Sequence, residues 1–556
     1  MKTRIGVFVC RCGNNIGGVI DVPNVLEDVR SISNVVLAEE FMYACSEDSL
    51  STLKERIKEH GLNRVVVAAC TPRTHEPLFK RCCEEAGLNR YLFEFVNIRE
   101  QCAWIHAHEK AKATKKAAGL VRMGVGKAFL LKPREDIEID ITPSAMIIGG
   151  GVSGITSALN LARQGFEVHL VERSDHLGGV ASDFKTWFPD REGDRKLSHL
   201  VRSIECDENI TVYLSSKIKD CSGNLGAFTV VIQDGDKERT VVVGTIVIAT
   251  GAGVLKPHGL YGYGELSNVM TQMEYDNLSK RRKEKYKKVV MINCVGTRVT
   301  ERPYCSQVCC MIAIKNAISV KESNPQAAVH ILHRDILVYG TAEEYYRYAM
   351  ELGIGFSRYT IEAPPQILGE GSGDTVRYYD EAAGKDIDIS CDLVVLSTPL
   401  VAQEENESMA KLFKVPISEE RFFLEAHQKL RPVEFATDGI YICGSARWPV
   451  DIRESIAQGY AAAAKAAIPM HRGRVFFEAI TASCDEKNCS GCGSCIEVCP
   501  YNAVDYKDLE EDRKVVEVNQ VKCKGCGCCV SACKNGAMQQ HGFSDYQLLS
   551  MIEMMA

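Results

Sequence analysis

MIIGGGVSGITSALNLARQGFEVHLVE, residues 146–172, holds a strand, a glycine turn, a helix and a second strand closed by an acid. One apolar run ends in Gly149-Gly150-Gly151-Val152-Ser153-Gly154; a helical pattern leads to a second, Val168–Val171, followed by Glu172-Arg173. The spacing Gly149-x-Gly151-x-x-Gly154 gives a tight turn, lets backbone approach a pyrophosphate and packs helix on sheet, while Glu172 is placed to hold a ribose 2′-hydroxyl. The plainer alternative is a glycine-rich loop in an empty Rossmann unit. Strand, helix and acid standing in register weigh against it.

Three later segments belong with this stretch. Leu177-Gly178-Gly179 can pass close to a bound cofactor, Thr245–Ile248 runs as a buried strand into Ala249-Thr250-Gly251, and Ile440-Tyr441-Ile442-Cys443 stops at Gly444-Ser445. In this order they resemble the two-dinucleotide-fold flavoproteins of the thioredoxin reductase and pyridine nucleotide-disulfide oxidoreductase type, and the resemblance implies FAD. Such flavoproteins usually carry an aspartate where Ser445 stands, so contacts to the ribityl chain must differ. The later run SIAQGYAAAAKAA resembles the helix that these proteins aim at the flavin by its amino end.

Bulk composition narrows the function classes. A chain of 556 residues has room for roughly three to four domains. Its 46% hydrophobic and 25% charged shares are those of an ordinary soluble protein, and the net charge of −7 argues against nucleic acid as a partner. No apolar run reaches the length of a membrane span, and MKTRIGVFVCRCG lacks a signal-peptide pattern, so the expected location is the cytoplasm. There, 25 cysteines read as metal ligands or redox groups rather than disulfides.

Those cysteines fall in three regions. Residues 1–130 alternate short apolar runs with helical patterns, a small α/β unit in which Cys10, Cys45, Cys70 and Cys102 each come at or just beyond the end of an apolar run. Parallel strands gather such positions at the carboxyl edge of the sheet, so four thiolates can converge. Buried apolar cysteines are the competing reading, and Cys12 can replace any of the four. Residues 131–144 read as a linker.

The second region lies in an insert, residues 256–430, where flavoproteins of this plan place a nicotinamide unit. The strand Val289–Asn293 leads not into glycines but into Cys294-Val295-Gly296-Thr297-Arg298, which speaks against a nicotinamide site. Cys305, Cys309 and Cys310 follow, with Lys315 in the next helical stretch. With Cys294 they supply the four thiolates of a [4Fe-4S] cube. The rival is a redox-active dithiol, disfavoured because adjacent cysteines form a disulfide only with difficulty.

The third region is C-terminal. Cys489-x-x-Cys492-x-x-Cys495-x-x-x-Cys499-Pro500 recurs as Cys523-x-x-Cys526-x-x-Cys529-x-x-x-Cys533, the bacterial two-cluster ferredoxin pattern. The fourth cysteine of each run serves the other cube, giving Cys489, Cys492, Cys495 and Cys533 to one and Cys523, Cys526, Cys529 and Cys499 to the other. The tail, YQLLSMIEMMA, reads as a terminal helix folded on its own domain or, being rich in methionine, as a docking helix.

CVGTRVTERPYCSQVCC, IGVFVCRCGNN, VAACTPRTHEPLF, NIREQCAW and STPLVAQEENESMAKLFKVP together resemble the A-type subunit of heterodisulfide reductase across nearly the whole chain. The resemblance implies a cluster at Cys294, Cys305, Cys309 and Cys310 beside the flavin, and a lysine at Lys315 that tunes its electron transfers. It implies partner subunits, catalytic and electron-input, ferredoxin, and a homodimer within a larger complex. Longer members insert a further ferredoxin unit, and no C-x-x-C-x-x-C run precedes residue 489 here, so this is a short form. The basic run Lys280–Lys288 is a candidate dock for acidic ferredoxin, or simply a solvated face.

The fold expected is α/β: an N-terminal α/β domain (1–130), a two-dinucleotide-fold FAD domain in two parts (144–255 and 431–472) around the insert (256–430), and an α+β two-cluster ferredoxin domain (475–556). The function expected is electron transfer between FAD and iron–sulfur clusters, including bifurcation or confurcation at the flavin. Two alternatives are a self-contained NAD(P)H-dependent oxidoreductase like the glutamate synthase small subunit, and a passive electron-relay scaffold.

Overall fold

The computed structural model describes residues 2–185, 187, 193–278, 285–369, 374–509 and 513–555. Residues 280–284 of the basic run lie outside them. Two compact units form: one from residues up to Glu138 together with those from Phe476 onward, the other from Ile139–Val475.

In the first unit, β1 (Ile5–Cys10), β2 (Val35–Phe41), β3 (Arg64–Ala69) and β4 (Phe93–Asn97) form a parallel sheet in the order β2-β1-β3-β4. Every residue of β1 is buried, which is why it reads as an unbroken apolar run rather than an alternating one. Helices α1 (Val22–Arg30), α2 (Glu47–Glu59), α3 (Pro72–Glu85) and α4 (Lys110–Phe129) follow the strands. Asp21 caps α1 and Ser46 caps α2, each accepting from the backbone N–H three residues on.

The second unit repeats one plan twice. Its first half pairs β5 (Ser144–Ile148), β6 (Glu167–Val171), β7 (Ile210–Tyr213) and β8 (Thr245–Ile248) in parallel as β8-β5-β6-β7, and the late strand Ile440–Ile442 joins outside β8. Helix α5 (Val152–Arg163) leaves the β5 turn. The inserted half contains β9 (Val269–Thr271), β10 (Lys288–Ile292), β11 (Ala328–His333), β12 (Gly355–Arg358) and β13 (Leu393–Leu396), again all parallel, in the order β9-β13-β10-β11-β12. Helices α6 (Gln272–Asn277) and α7 (Cys309–Ser323) follow β9 and β10, and a three-stranded antiparallel sheet accompanies each half. The chain returns to the first half through α8 (Ile452–Arg472), which lies so close on α5 that a Cβ at Gly459 would meet Ser153 O at 2.7 Å.

Back in the first unit, the C-terminal stretch pairs Ala482–Cys484 with Met538–Gln540 and Val504–Asp508 with Lys514–Val518, both antiparallel. Its last helix, α9 (Asp545–Met555), packs on α4: Ser550 Oγ donates to Gly126 O at 3.1 Å and Gln547 Nε2 to Leu130 O at 3.4 Å. The tail is thus a terminal helix, but it packs on α4 of the N-terminal stretch rather than on the expected 475–556 stretch, and Tyr546, Leu549 and Ile552 remain exposed. Among the described residues no helix is long and apolar enough to cross a membrane.

Candidate functional site

The turn after β5 is shaped by what cannot fit beside it. Gly149 sits at φ +109°, and a Cβ there would meet Ala249 O at 2.4 Å; one on Gly154 would meet Gly149 O at 1.8 Å. Gly151 differs, since its Cβ would meet only Gly179 Cα, at 4.0 Å, and so would project into the space in front of α5. Gly178 N–H donates to Gly150 O at 2.8 Å, which ties the Leu177-Gly178-Gly179 segment to the turn. Glu172 is buried and accepts from Gly150 N at 2.6 Å and Ser174 N at 2.8 Å, so it braces the glycine turn. Arg173 pairs with Glu405 and Gln403.

These residues open on a cavity of about 750 Å³, within the range of ligand sites. Val152 and Ser153 at the start of α5, Ala249-Thr250-Gly251, Ser445 and the first turn of α8 all line it. Gly444, just behind, has no room for a side chain, because a Cβ would meet Ser153 Oγ at 2.1 Å. Thr250 Oγ1 is buried on the wall with no hydrogen-bond partner among the described residues, which leaves it for a ligand. Ser445 Oγ donates to Val450 O at 3.3 Å, so it serves its own loop where related flavoproteins carry a carboxylate. Asp451 caps α8, and the helix presents its amino end to the cavity as expected. Glycines at the pyrophosphate turn, two helix amino ends and an orphaned hydroxyl together fit FAD.

The inserted half contributes the opposite wall. The chain leaves β10 through Asn293 and turns at Cys294 (φ +61°) and Arg298 (φ +56°), so the second half lacks the glycine cradle of the first. Gln307, Val308 and Cys309, leading into α7, line the cavity, and so does Lys315. Cys309 Sγ lies 3.4 Å from Thr398 O; Cys310 Sγ accepts from Leu337 N and Cys305 Sγ from Gln307 N, both at 3.4 Å. Burial pushes the Cys310 thiol up to about 11 and Cys309 higher, and the neighbouring Cys294 and Cys305 raise both further. A multiply charged iron–sulfur cluster would reverse that by holding them as thiolates. Lys315 Nζ pairs with Asp276 Oδ1 at 3.0 Å. Burial lowers the lysine, and Asp276 pulls it back up.

In the C-terminal stretch, Cys489, Cys492, Cys495 and Cys533 surround one small hollow, the interlocked set expected from spacing. Cys523, Cys526 and Cys499 act electrostatically on Cys529, so the second set is also together. Backbone amides point at sulfur: Ala503 N at Cys499 (3.3 Å), Met538 N at Cys533 and Ala482 N at Cys523 (both 3.4 Å). Cys484 lies against Cys489, and Cys528 against Cys526. Among the described residues no three His, Cys, Asp or Glu side chains close on a point as ligands of one metal ion would. A cube is larger than one ion and does not ask them to.

At the edge of the N-terminal sheet the structure gathers Cys10, Cys45 and Cys70 with Cys12, the substitute the sequence allowed, in place of Cys102. Cys10 accepts from Ala44 N at 3.3 Å, and Cys12 and Cys70 both raise its pKa, after burial as the larger cause, to about 11. Cys45 is raised by burial and then by Cys70 and Cys12. Cys102 stands apart, fully buried, with its thiol donating to Ala113 O at 3.1 Å. Cys12 joins the group because it adopts φ +45°, a left-handed turn that the following Gly13 continues.

Comparison with known proteins agrees with this architecture. The family described as pyridine nucleotide-disulphide oxidoreductase matches residues 143–466, and the 4Fe-4S dicluster domain family matches 488–537. The A-type iron-sulfur subunit, second form, of the CoB–CoM heterodisulfide reductase of Methanopyrus kandleri is 38% identical, covering 93% of this chain and 92% of its own. The A-type subunit of the H(2):CoB-CoM heterodisulfide,ferredoxin reductase of Methanothermobacter thermautotrophicus is 37% identical, covering 99% and 97%. The A-type iron-sulfur subunit of the CoB–CoM heterodisulfide reductase of Methanocaldococcus jannaschii, 36% identical, aligns over 654 positions with all of this chain's 556 residues, so it carries roughly a hundred positions without counterpart here. The shared plan is an oxidoreductase flavin fold joined to iron–sulfur clusters.

Proposed function

The chain belongs to the family of heterodisulfide reductase A-type subunits, and from that premise we propose that it is the component in which a flavin exchanges electrons with iron–sulfur clusters, by bifurcation or confurcation. The observation that carries this reading is that Cys309 and Lys315, six residues apart on α7, share the flavin cavity's wall where a nicotinamide-binding protein would present its second glycine turn. Bound FAD supplies electron pairs and the clusters accept single electrons.

The chain's own residues then have distinct tasks. The β5 turn and the amino end of α5 take the pyrophosphate, and Glu172 orients a ribose. Lys315 brings a cation to the cavity, which favours a negatively charged reduced cofactor, and Asp276 keeps that cation charged despite burial. Cys294, Cys305, Cys309 and Cys310 hold one cluster. Two more lie in the interlocked C-terminal sets, and a fourth is held at the N-terminal sheet edge by Cys10, Cys12, Cys45 and Cys70. Partner subunits and ferredoxin, which the relatives' names mention, take the electrons onward.

Two measurements on anoxically purified protein test this. Iron and acid-labile sulfide should reach about sixteen irons per flavin for four cubes. A redox titration should give two strongly crossed one-electron flavin potentials; potentials in ordinary order would support a passive relay instead. Rapid flavin bleaching by NADPH without partners would overturn the proposal in favour of a self-contained reductase.

A further inference from the structure

Four buried side chains, two of them on the cavity wall, form a hydrogen-bond chain that runs from Asn316 to Asn293. Asn316 Nδ2 donates to Gln272 Oε1 at 2.7 Å and to Gln272 O at 3.2 Å, which fixes the Gln272 amide with its nitrogen facing away. Gln272 Nε2 donates to Ser397 Oγ at 3.1 Å. Having accepted there, Ser397 gives its own proton to Asn293 Oδ1 at 2.6 Å. The Asn293 amide is thereby oriented, and its backbone is clamped too: its N–H donates to Leu332 O, and its carbonyl accepts from Tyr359 Oη. All four members are at most 5% exposed.

The chain ends on a donor with nothing to donate to. Asn293 Nδ2 is buried and has no partner among the described residues. Leaving such a donor unsatisfied costs about 1–3 kcal/mol. The opposite end of the same amide, Oδ1, is taken by Ser397. Asn293 directly precedes Cys294, and Ser397 directly precedes Thr398, whose carbonyl lies 3.4 Å from Cys309 Sγ. Gln272 and Ser397 also line the flavin cavity. The orphan donor thus belongs to the residue before a candidate cluster cysteine, and two members of the chain that orients it line the cavity.

We propose that Asn293 Nδ2 donates an N–H···S hydrogen bond to a sulfur of the cluster held by Cys294, Cys305, Cys309 and Cys310, and that Ser397, Gln272 and Asn316 are positioning residues for that donor. This rests on the cluster reading of those four cysteines. A donor aimed at sulfur stabilises the reduced, more negative cluster and so raises its potential. The device sets how readily this cluster takes an electron from the neighbouring flavin.

The test is a potentiometric titration of the full-length holoprotein followed by electron paramagnetic resonance, with the relevant signal identified as the one absent from Cys305→Ala. In Asn293→Asp an acceptor replaces the donor at constant shape, and the reduction equilibrium of that cluster should fall at least tenfold, 59 mV for one electron. Ser397→Ala leaves the asparagine in place but frees its amide, and should move the potential the same way by less; it carries the test if the aspartate variant fails to fold. An unmoved cluster potential at wild-type iron content overturns the proposal, as does a shift confined to the flavin. A wild-type protein with no signal sensitive to Cys305→Ala overturns the cluster reading itself, and the proposal with it.

Discussion

Lys315 Nζ and Asp276 Oδ1 lie 3.0 Å apart, with the lysine side chain 11% and the aspartate 2% exposed. The aspartate's other oxygen accepts from Lys185 N at 2.8 Å, so its orientation is fixed independently of the lysine. Burial lowers the lysine's pKa and Asp276 opposes that. Asp276→Asn should therefore drop it further, and the lysine should lose its proton at a lower pH. Breaking a buried pair costs about 3–5 kcal/mol, which deprotonation of the lysine would partly relieve. The expected outcome is that the pH dependence of the flavin's reduction potential breaks at a lower pH than in the wild type, as read by spectroelectrochemical titration over a pH series. An unchanged profile would show that the lysine's charge does not reach the flavin.

The two ends of the glycine turn should respond differently to the same added methyl. Gly151 has an ordinary φ of −75° and nothing nearer to its Cβ position than Gly179 Cα at 4.0 Å, so Gly151→Ala should fold normally and keep its iron. It should bind FAD at least tenfold more weakly, because the methyl occupies the approach to the pyrophosphate. Gly154→Ala places a methyl 1.8 Å from Gly149 O and must move helix from strand, at about 1–3 kcal/mol for overpacking, so stability falls along with flavin content. Flavin titration and thermal unfolding of both variants separate the two effects.

Cys12 and Cys102 offer a second contrast. Cys12 lies among Cys10, Cys45 and Cys70, whereas Cys102 is engaged with Ala113 O in the core. Cys12→Ser should lose about four irons per flavin, the content of one cube, and Cys102→Ser should lose none. Loss of iron from the Cys102 variant alone would restore the set first expected from strand ends.

What could be read from the sequence here was whatever chemistry is local. Gly149-x-Gly151-x-x-Gly154 with Glu172, and the two C-terminal cysteine runs, declare themselves because spacing along the chain is the determinant. The interlocking of Cys499 and Cys533 was legible for the same reason, since the run repeats. Cys12 was legible only as a possible substitute for one of the four, because its place depends on a left-handed residue that spacing does not encode. The Asp276 partner of Lys315 and the Asn316–Gln272–Ser397–Asn293 chain join residues 39 to 125 positions apart, brought together only when β9, β10 and β13 share a sheet. Nothing in their local sequence marks them as polar core.

Arg134 Nη2 lies 2.6 Å from His541 Nδ1, so that nitrogen must accept and the ring must be neutral. Burial is the larger cause and Arg134 the smaller in lowering His541 from 6.5 to about 4. The sign follows from proton uptake. Between those two values the unfolded chain binds a proton that the folded chain refuses, so this site's stability is present above pH 6.5 and is lost as pH falls toward 4. From pH 7.5 to 5.5 the loss amounts to about 1 kcal/mol. Anoxic urea unfolding at the two pH values should show it, and His541→Gln, which stays neutral throughout, should remove that share of the pH dependence. An identical pH slope in the variant would mean that His541 titrates normally in the folded protein.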